Sequence, residues 1–109
     1  MNTAQKLSRE LMAMTPILKN EDWLFKQLQN ANFAAEYLNA ASEDDDPQTY
    51  LTALRKIVEA RGGISAVADK TTLPKETLYR TLSARGNPTI KTLTAVLNAV
   101  GLKMAVTVH

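Results

Sequence analysis

A chain of 109 residues, 45% hydrophobic and 22% charged, is long enough to close one modest core and too apolar to stay disordered. It has no cysteine, and its single histidine is the last residue, His109. Disulfides, thiolate metal sites and any histidine acid/base pair or zinc site built within one chain are thereby excluded. The net charge of +2 is unevenly spread: residues 1–60 carry six Lys/Arg against nine Asp/Glu, and residues 61–109 carry seven against two. The second half is therefore the surface expected to meet a polyanion.

No apolar run approaches the roughly 20 residues that span a bilayer, and the N-terminus, with Glu10 and no small-residue cleavage site after a long apolar core, does not read as a signal peptide. The expectation is a cytoplasmic protein with no membrane contact and no cofactor.

In chain order, Leu7, Leu11 and Met14 fall at helical spacing from Thr3 to about Met14, and Pro16 ends that segment. Asn20 reads as the cap of a second helix with Glu21 and Asp22 in its first turn and Trp23, Leu24 and Leu28 as its apolar stripe. Asn32 is placed to cap a third helix through FAAEYLNAA, with Phe33, Tyr37 and Leu38 facing inward. The acidic run SEDDDP breaks that helix, and Asp46-Pro47, a capping carboxylate followed by proline, starts the next. Leu51, Leu54, Ile57 and Val58 form its 3.6-residue stripe, and Gly62-Gly63 ends it.

ISAVADK then predicts a two-turn helix, TTL a turn, and PKETLYRTLSA a helix of about three turns stopped by Gly86. Asn87 is held extended by Pro88. Thr89 caps a last helix whose Ile90, Leu93, Val96, Leu97 and Val100 share a face, with Gly101 as its stop and Leu102 as the accompanying apolar contact. In the tail KMAVTVH, Met104, Val106 and Val108 alternate with Lys103, Ala105 and Thr107, which is a strand pattern without a partner in a helical chain. The fold expected is mainly α: a helical bundle containing a helix-turn-helix, with a short C-terminal β-strand pairing between chains. Residues 1–46 form an N-terminal helical region, a candidate contact for a second copy or a partner protein, and residues 47–109 the helix-turn-helix region with the strand, together making one compact domain.

Two short helices joined by a turn of about three residues are the geometry that lays the second helix in a DNA major groove. Val67 and Ala68 on the first helix, Leu73 in the turn, and Leu78 and Leu82 on the second supply the packing. At 100° per residue, Lys75, Glu76, Tyr79, Arg80 and Ser83 fall on one face of the second helix, with Leu78, Thr81 and Leu82 opposite. Arg80 suits guanine or a phosphate, Lys75 base or backbone, and Glu76 a cytosine amino group. Thr77 and Tyr79 offer hydroxyls to either, or support neighbouring helices. The start of the last helix, at Thr89 and Ile90, points backbone amides outward beside Arg85, Asn87 and Lys91, an arrangement suited to phosphate. Neither an activating histidine for Ser65 or Ser83 nor a calcium-loop spacing in the acidic run is present, so an enzyme is not expected.

Residues 33–106, and above all LYRTLSARGNPTIKTL with Leu78, Tyr79, Arg80, Leu82, Gly86, Asn87, Pro88, Thr89 and Leu93, resemble the helix-turn-helix addiction-module antidote proteins. These are relatives of the HigA-type antitoxins with a phage-repressor-like DNA-binding fold; ALRKIVEARGGIS supports the likeness. The resemblance implies a small bacterial regulator that neutralises a co-expressed toxin of the RelE type and represses its own operon by binding the double-stranded operator as a homodimer. Lys75, Tyr79, Arg80 and the Asn87 turn are the positions it places near DNA. Thr72 departs from the family pattern, standing where the turn usually has glycine. The first 32 residues fall outside the resemblance, so no toxin-contact residue is carried over. Two other readings fit the same residues: a stand-alone repressor with no toxin, and a protein-interaction module that has lost DNA binding and uses its acidic run and apolar N-terminal helices on a basic partner.

Overall fold

The computed structural model describes residues 21–108. The helix expected over Thr3–Met14, the Asn20 cap and His109 lie outside the described residues. Six helices follow one another: α1 (Glu21–Leu28), α2 (Ala31–Ser42), α3 (Pro47–Ala60), α4 (Gly63–Thr71), α5 (Lys75–Thr81) and α6 (Ile90–Ala99). Local chemistry sets most of their starts. Glu21 and Asp22 stand in the first turn of α1 and Lys26 in its last, matching the helix dipole at both ends. The cap of α2 is Asn30, whose side chain accepts from the Phe33 N–H at 3.0 Å, and the expected cap Asn32 lies inside the helix. Asp46 caps α3 by accepting from the Gln48 N–H at 2.9 Å, with Pro47 following it, and Asp44 in turn accepts from the Asp46 N–H at 2.8 Å.

Helix α3 is the hub. It packs on α1 and α2 along one side and on α4 along the other, while α4 also carries α5 and α6. One continuous core results, with Leu24 and Leu28 from α1, Leu54, Ile57 and Val58 from α3, Val67 from α4, Leu78 and Leu82 from α5 and its cap, and Val96 from α6 all fully buried. Truncating any of the leucines to alanine carries a cost of about 2–5 kcal/mol, because the surrounding helices collapse only partly into the void. On the outer side of α1 and α2, Trp23 meets Phe33 edge-on at 6.1 Å and Phe33 stacks on Tyr37 at 6.4 Å.

Three cations stitch the helices together through their C-terminal carbonyls. Arg61, just past α3, donates to the Val100 carbonyl at 2.6 Å and to the Gln29 carbonyl at 2.5 Å, joining the ends of α6 and α1. Lys70 donates to Ala99 O at 3.2 Å, and Arg55 to Leu82 O at 3.4 Å. Such carbonyls have no partner inside their own helices and carry its negative end, so a cation there is doubly suited. Helix α6 closes as expected, with Gly101 at φ 84° and the N–H groups of Gly101 and Leu102 returning to Asn98 O and Leu97 O, and Leu102 packed on the core.

Two expectations are corrected. Among the described residues every regular element is a helix, and residues 103–108 form no strand and no ladder, with Val106 and Val108 fully exposed. Alternation specifies which way side chains point in a strand, but the strand itself exists only through a neighbour's backbone groups, and every element described here spends those groups internally. The fold is therefore all-helical, without the C-terminal β-strand pairing. Second, α5 spans seven residues and ends at Thr81, not at Ala84. Gly86 acts after the helix: a Cβ on it would lie 1.9 Å from the Thr81 carbonyl oxygen, so only glycine lets the chain fold back under α5.

Candidate nucleic-acid interface

The residues singled out for DNA contact are positioned by the turn between α4 and α5. Thr71 donates its hydroxyl to Val67 O at 2.7 Å and accepts from the Leu73 N–H at 3.2 Å, so one side chain closes α4 and holds the turn. Thr72 sits in the left-handed region at φ 60°, with its N–H on Ala68 O at 2.9 Å. A β-branched residue is costly there, by about 1–2 kcal/mol. The turn thus takes the left-handed shape that glycine would adopt freely, and takes it with threonine. Leu73 packs against the core, and Pro74, in extended backbone at φ −62°, leads straight into Lys75.

Helix α5 is held from behind by Leu78 and by Leu82, its C-cap residue, which are buried. Lys75, Glu76, Tyr79 and Arg80 are exposed, with Tyr79 63% accessible, while Thr77 is half-buried at the margin of the packed side. Ser83 lies beyond the helix end, half-buried, and its hydroxyl donates to the Arg80 carbonyl at 2.7 Å. Arg85, Asn87, Thr89 and Lys91 are exposed along the connection from α5 into α6. Thr89 caps α6, accepting from the Thr92 N–H at 3.1 Å, and the Leu93 N–H returns to Thr89 O. The amides of Ile90 and Lys91 precede these bonds and, as at any helix start, have no partner within the helix.

Ile90 is 71% exposed, although its spacing groups it with the apolar face of α6. At 100° per residue it lies about 70° from the centre of the stripe made by Leu93, Val96, Leu97 and Val100, enough to bring it off the core. Two large apolar side chains, Tyr79 on α5 and Ile90 at the start of α6, are therefore left exposed.

Leaving aside Lys103 in the exposed tail, the cations of the basic half divide into two sets. Arg61 and Lys70 are tied to helix ends, as is Arg55 from the preceding half. Lys75, Arg80, Arg85 and Lys91 make no side-chain hydrogen bond or ion pair with any described residue; the ion pair seen between described residues joins Lys56 to Glu21 at 3.3 Å. Counting charge along the chain could not separate these sets, because the carbonyls that take up Arg61 and Lys70 lie 29 to 39 residues away. Among the described residues no His, Cys, Asp or Glu group converges to hold a metal ion, and no helix is long and apolar enough to cross a membrane.

The model of a protein family described as probable addiction module antidote protein matches residues 19–108. The chain belongs to this family. A relative from Haemophilus influenzae (strain ATCC 51907 / DSM 11121 / KW20 / Rd), named only as an uncharacterized protein, is 34% identical over 93 residues, covering 85% of this chain and 94% of the relative. No solved structure matches. The chain is therefore the antidote of an addiction module, and membership implies a cognate toxin as its partner. The matched span takes in all six helices, so the exposed cations of α5 and the α5–α6 connection belong to the part of the antidote that the family model covers.

Proposed function

We propose that this antidote is a non-catalytic antitoxin that neutralises its cognate toxin and, as a homodimer, represses its own operon by binding the operator through α4 and α5 used as a helix-turn-helix. The observation that carries the DNA reading is a set of exposed cations without a side-chain partner among the described residues: Lys75 and Arg80 on a short helix joined to its predecessor by the turn Thr72–Pro74, and Arg85 and Lys91 in the connection that follows it and at the start of α6. A helix of seven residues packed through Leu78 and Leu82 presents its other side to the major groove, while Arg85, Asn87 and Lys91, beside the start of α6, reach the adjoining phosphates. Tyr79 and Thr77 add hydroxyls at the edge of that contact, and Ser83 serves it indirectly by fixing the Arg80 carbonyl.

The acidic run does not favour the interaction-module reading. Two of its carboxylates, Asp44 and Asp46, are engaged in starting α3, which makes the run a helix-initiation device.

Fluorescence anisotropy of the protein on the DNA just upstream of its own gene, with unrelated DNA as competitor across a salt series, tests the reading. Selective binding that weakens steeply with salt is expected, since each phosphate neutralised releases condensed counterions. Arg80→Glu should abolish selective binding while leaving the helical circular dichroism unchanged, because the Arg80 side chain is exposed and makes no hydrogen bond or ion pair with any described residue. A variant that binds the operator normally would remove α5 as the reading helix.

A further inference from the structure

The face of α5 that the preceding reading sets against DNA contains one acid. Glu76 is exposed, and among the described residues it makes no hydrogen bond and no ion pair, although Lys75 precedes it and Arg80 stands one helical turn on. It does not cap the helix: the N-cap is Pro74, and no side chain accepts from the first amides of α5. Nor does it support the core, which is reached from the opposite side by Leu78 and Leu82. The helix dipole welcomes an acid in the first turn, but aspartate would serve that purpose equally. Beside a polyanion such a carboxylate is repelled unless it meets a donor.

Donors in the major groove are few. Guanine and thymine present acceptors there, and only the N4 amino group of cytosine and the N6 amino group of adenine donate. An ionised carboxylate accepts with both oxygens. At adenine its second oxygen faces the N7 acceptor, whereas at cytosine no acceptor of the same base stands beside the amino group. Arg80, at the i+4 position on the same face, has the complementary preference for guanine O6 and N7. Four residues of α-helix advance about 6 Å, which corresponds to one or two base steps of about 3.4 Å.

Resting on the assignment of α5 to the major groove, we infer that Glu76 and Arg80 act as a pair that reads a cytosine and a guanine one or two base steps apart in each operator half-site. Glu76 fixes the cytosine position chiefly by rejecting the other bases, and Arg80 supplies the attraction that offsets the carboxylate's repulsion from phosphate.

The test compares the wild type, Glu76→Gln and Glu76→Asp on the upstream operator with each base pair substituted singly, folding being checked by circular dichroism. The wild type should show a position where cytosine is preferred by about tenfold or more. Glu76→Gln should transfer that preference to adenine, since the amide both donates to N7 and accepts from N6. Glu76→Asp keeps the charge but shortens the reach, and should flatten the preference there. A base profile unchanged in Glu76→Gln, with selective binding retained, overturns the inference and leaves the DNA-binding reading standing. Absence of selective binding by the wild type itself overturns both.

Discussion

The seam where α3, α4 and α6 meet and the outer face of α5 and α6 are built with the same kinds of cation and use them in opposite ways. At the seam, Arg61 spans two helix ends and Lys70 a third contact, each guanidinium or ammonium filling carbonyls that have no acceptor role within their own helix. On the outer face, the side chains of Lys75, Arg80, Arg85 and Lys91 meet no such carbonyl among the described residues. Residue type therefore does not divide structural from binding charge here. What divides them is whether a helix C-terminus ends within reach, and that is decided by how α1, α3, α4 and α6 stack.

Exchanging cation for neutral residue at the two places should break the comparison in the most direct way. Arg61→Ala removes two charge-assisted bonds, leaves the Val100 carbonyl at the end of α6 without its donor, and should lower unfolding free energy by about 2–4 kcal/mol. Arg80→Ala, exposed and unbonded, should change stability by no more than about 0.5 kcal/mol. Urea midpoints of the two variants read the difference. Equal midpoints would mean that the bonds of Arg61 add nothing to what the apolar core already provides.

A smaller effect of opposite sign is expected at the turn that aims α5. Thr72→Gly relieves a left-handed β-branched residue and loses the hydroxyl's bond to Thr71 O, and the net should be a gain of about 0.5–1 kcal/mol, reduced by the extra freedom glycine gives the unfolded chain. Thermal unfolding measures it. The N–H of residue 72 keeps its bond to Ala68 O, so the direction of α5 should be preserved, and a loss of stability instead would show that the threonine hydroxyl outweighs the strain.

The parts of this fold that could be read from sequence are those whose cause is local. Asp46-Pro47, the Thr89 cap and the Gly101-Leu102 stop each act within four or five residues, and each is present as the residues suggest. Asn30 and Asn32 are both suitable caps two residues apart, and the choice between them rests on where Phe33 and Ala34 must face the core. Gly86 was legible as the stop of a helix but not as a close approach to Thr81, since that contact depends on the chain turning back beneath α5. The tail failed as a strand for the same kind of reason: Met104, Val106 and Val108 have the period, and a ladder is made by two segments. Of the candidate interface, the exposed set Lys75, Glu76, Tyr79 and Arg80 followed from helical angles, whereas the exposure of Ile90 and the withdrawal of Arg61 and Lys70 from the basic surface required the packing.

The smallest expected effect concerns the acidic unit, α1–α3, where two tyrosines are held against the core. Burial raises the Tyr37 hydroxyl above its ordinary pKa, and the nearby Glu21 carboxylate raises it further; Tyr50 is raised by burial alone. Both are acids whose native pKa exceeds the unfolded value of 10.0, so their contribution to stability is complete below about pH 10 and is lost as pH rises through the native values. In that window the unfolded chain releases protons that the native state retains, and unfolding free energy should fall with pH, at most by about 1.4 kcal/mol per pH unit for each tyrosine. Glu21→Gln removes one of the two causes at Tyr37, narrows the gap between its native and unfolded pKa, and should make the alkaline loss of stability smaller and complete at a lower pH, with its onset near about pH 10 unchanged. The exposed Lys56–Glu21 pair that it also breaks is worth no more than about 1 kcal/mol, and its loss is read at neutral pH, where the tyrosines contribute no pH dependence, so the neutral measurement gives its size. Denaturation followed at neutral pH and again above pH 10 distinguishes them: a variant whose alkaline loss coincides with the wild type's would assign the rise at Tyr37 to burial alone.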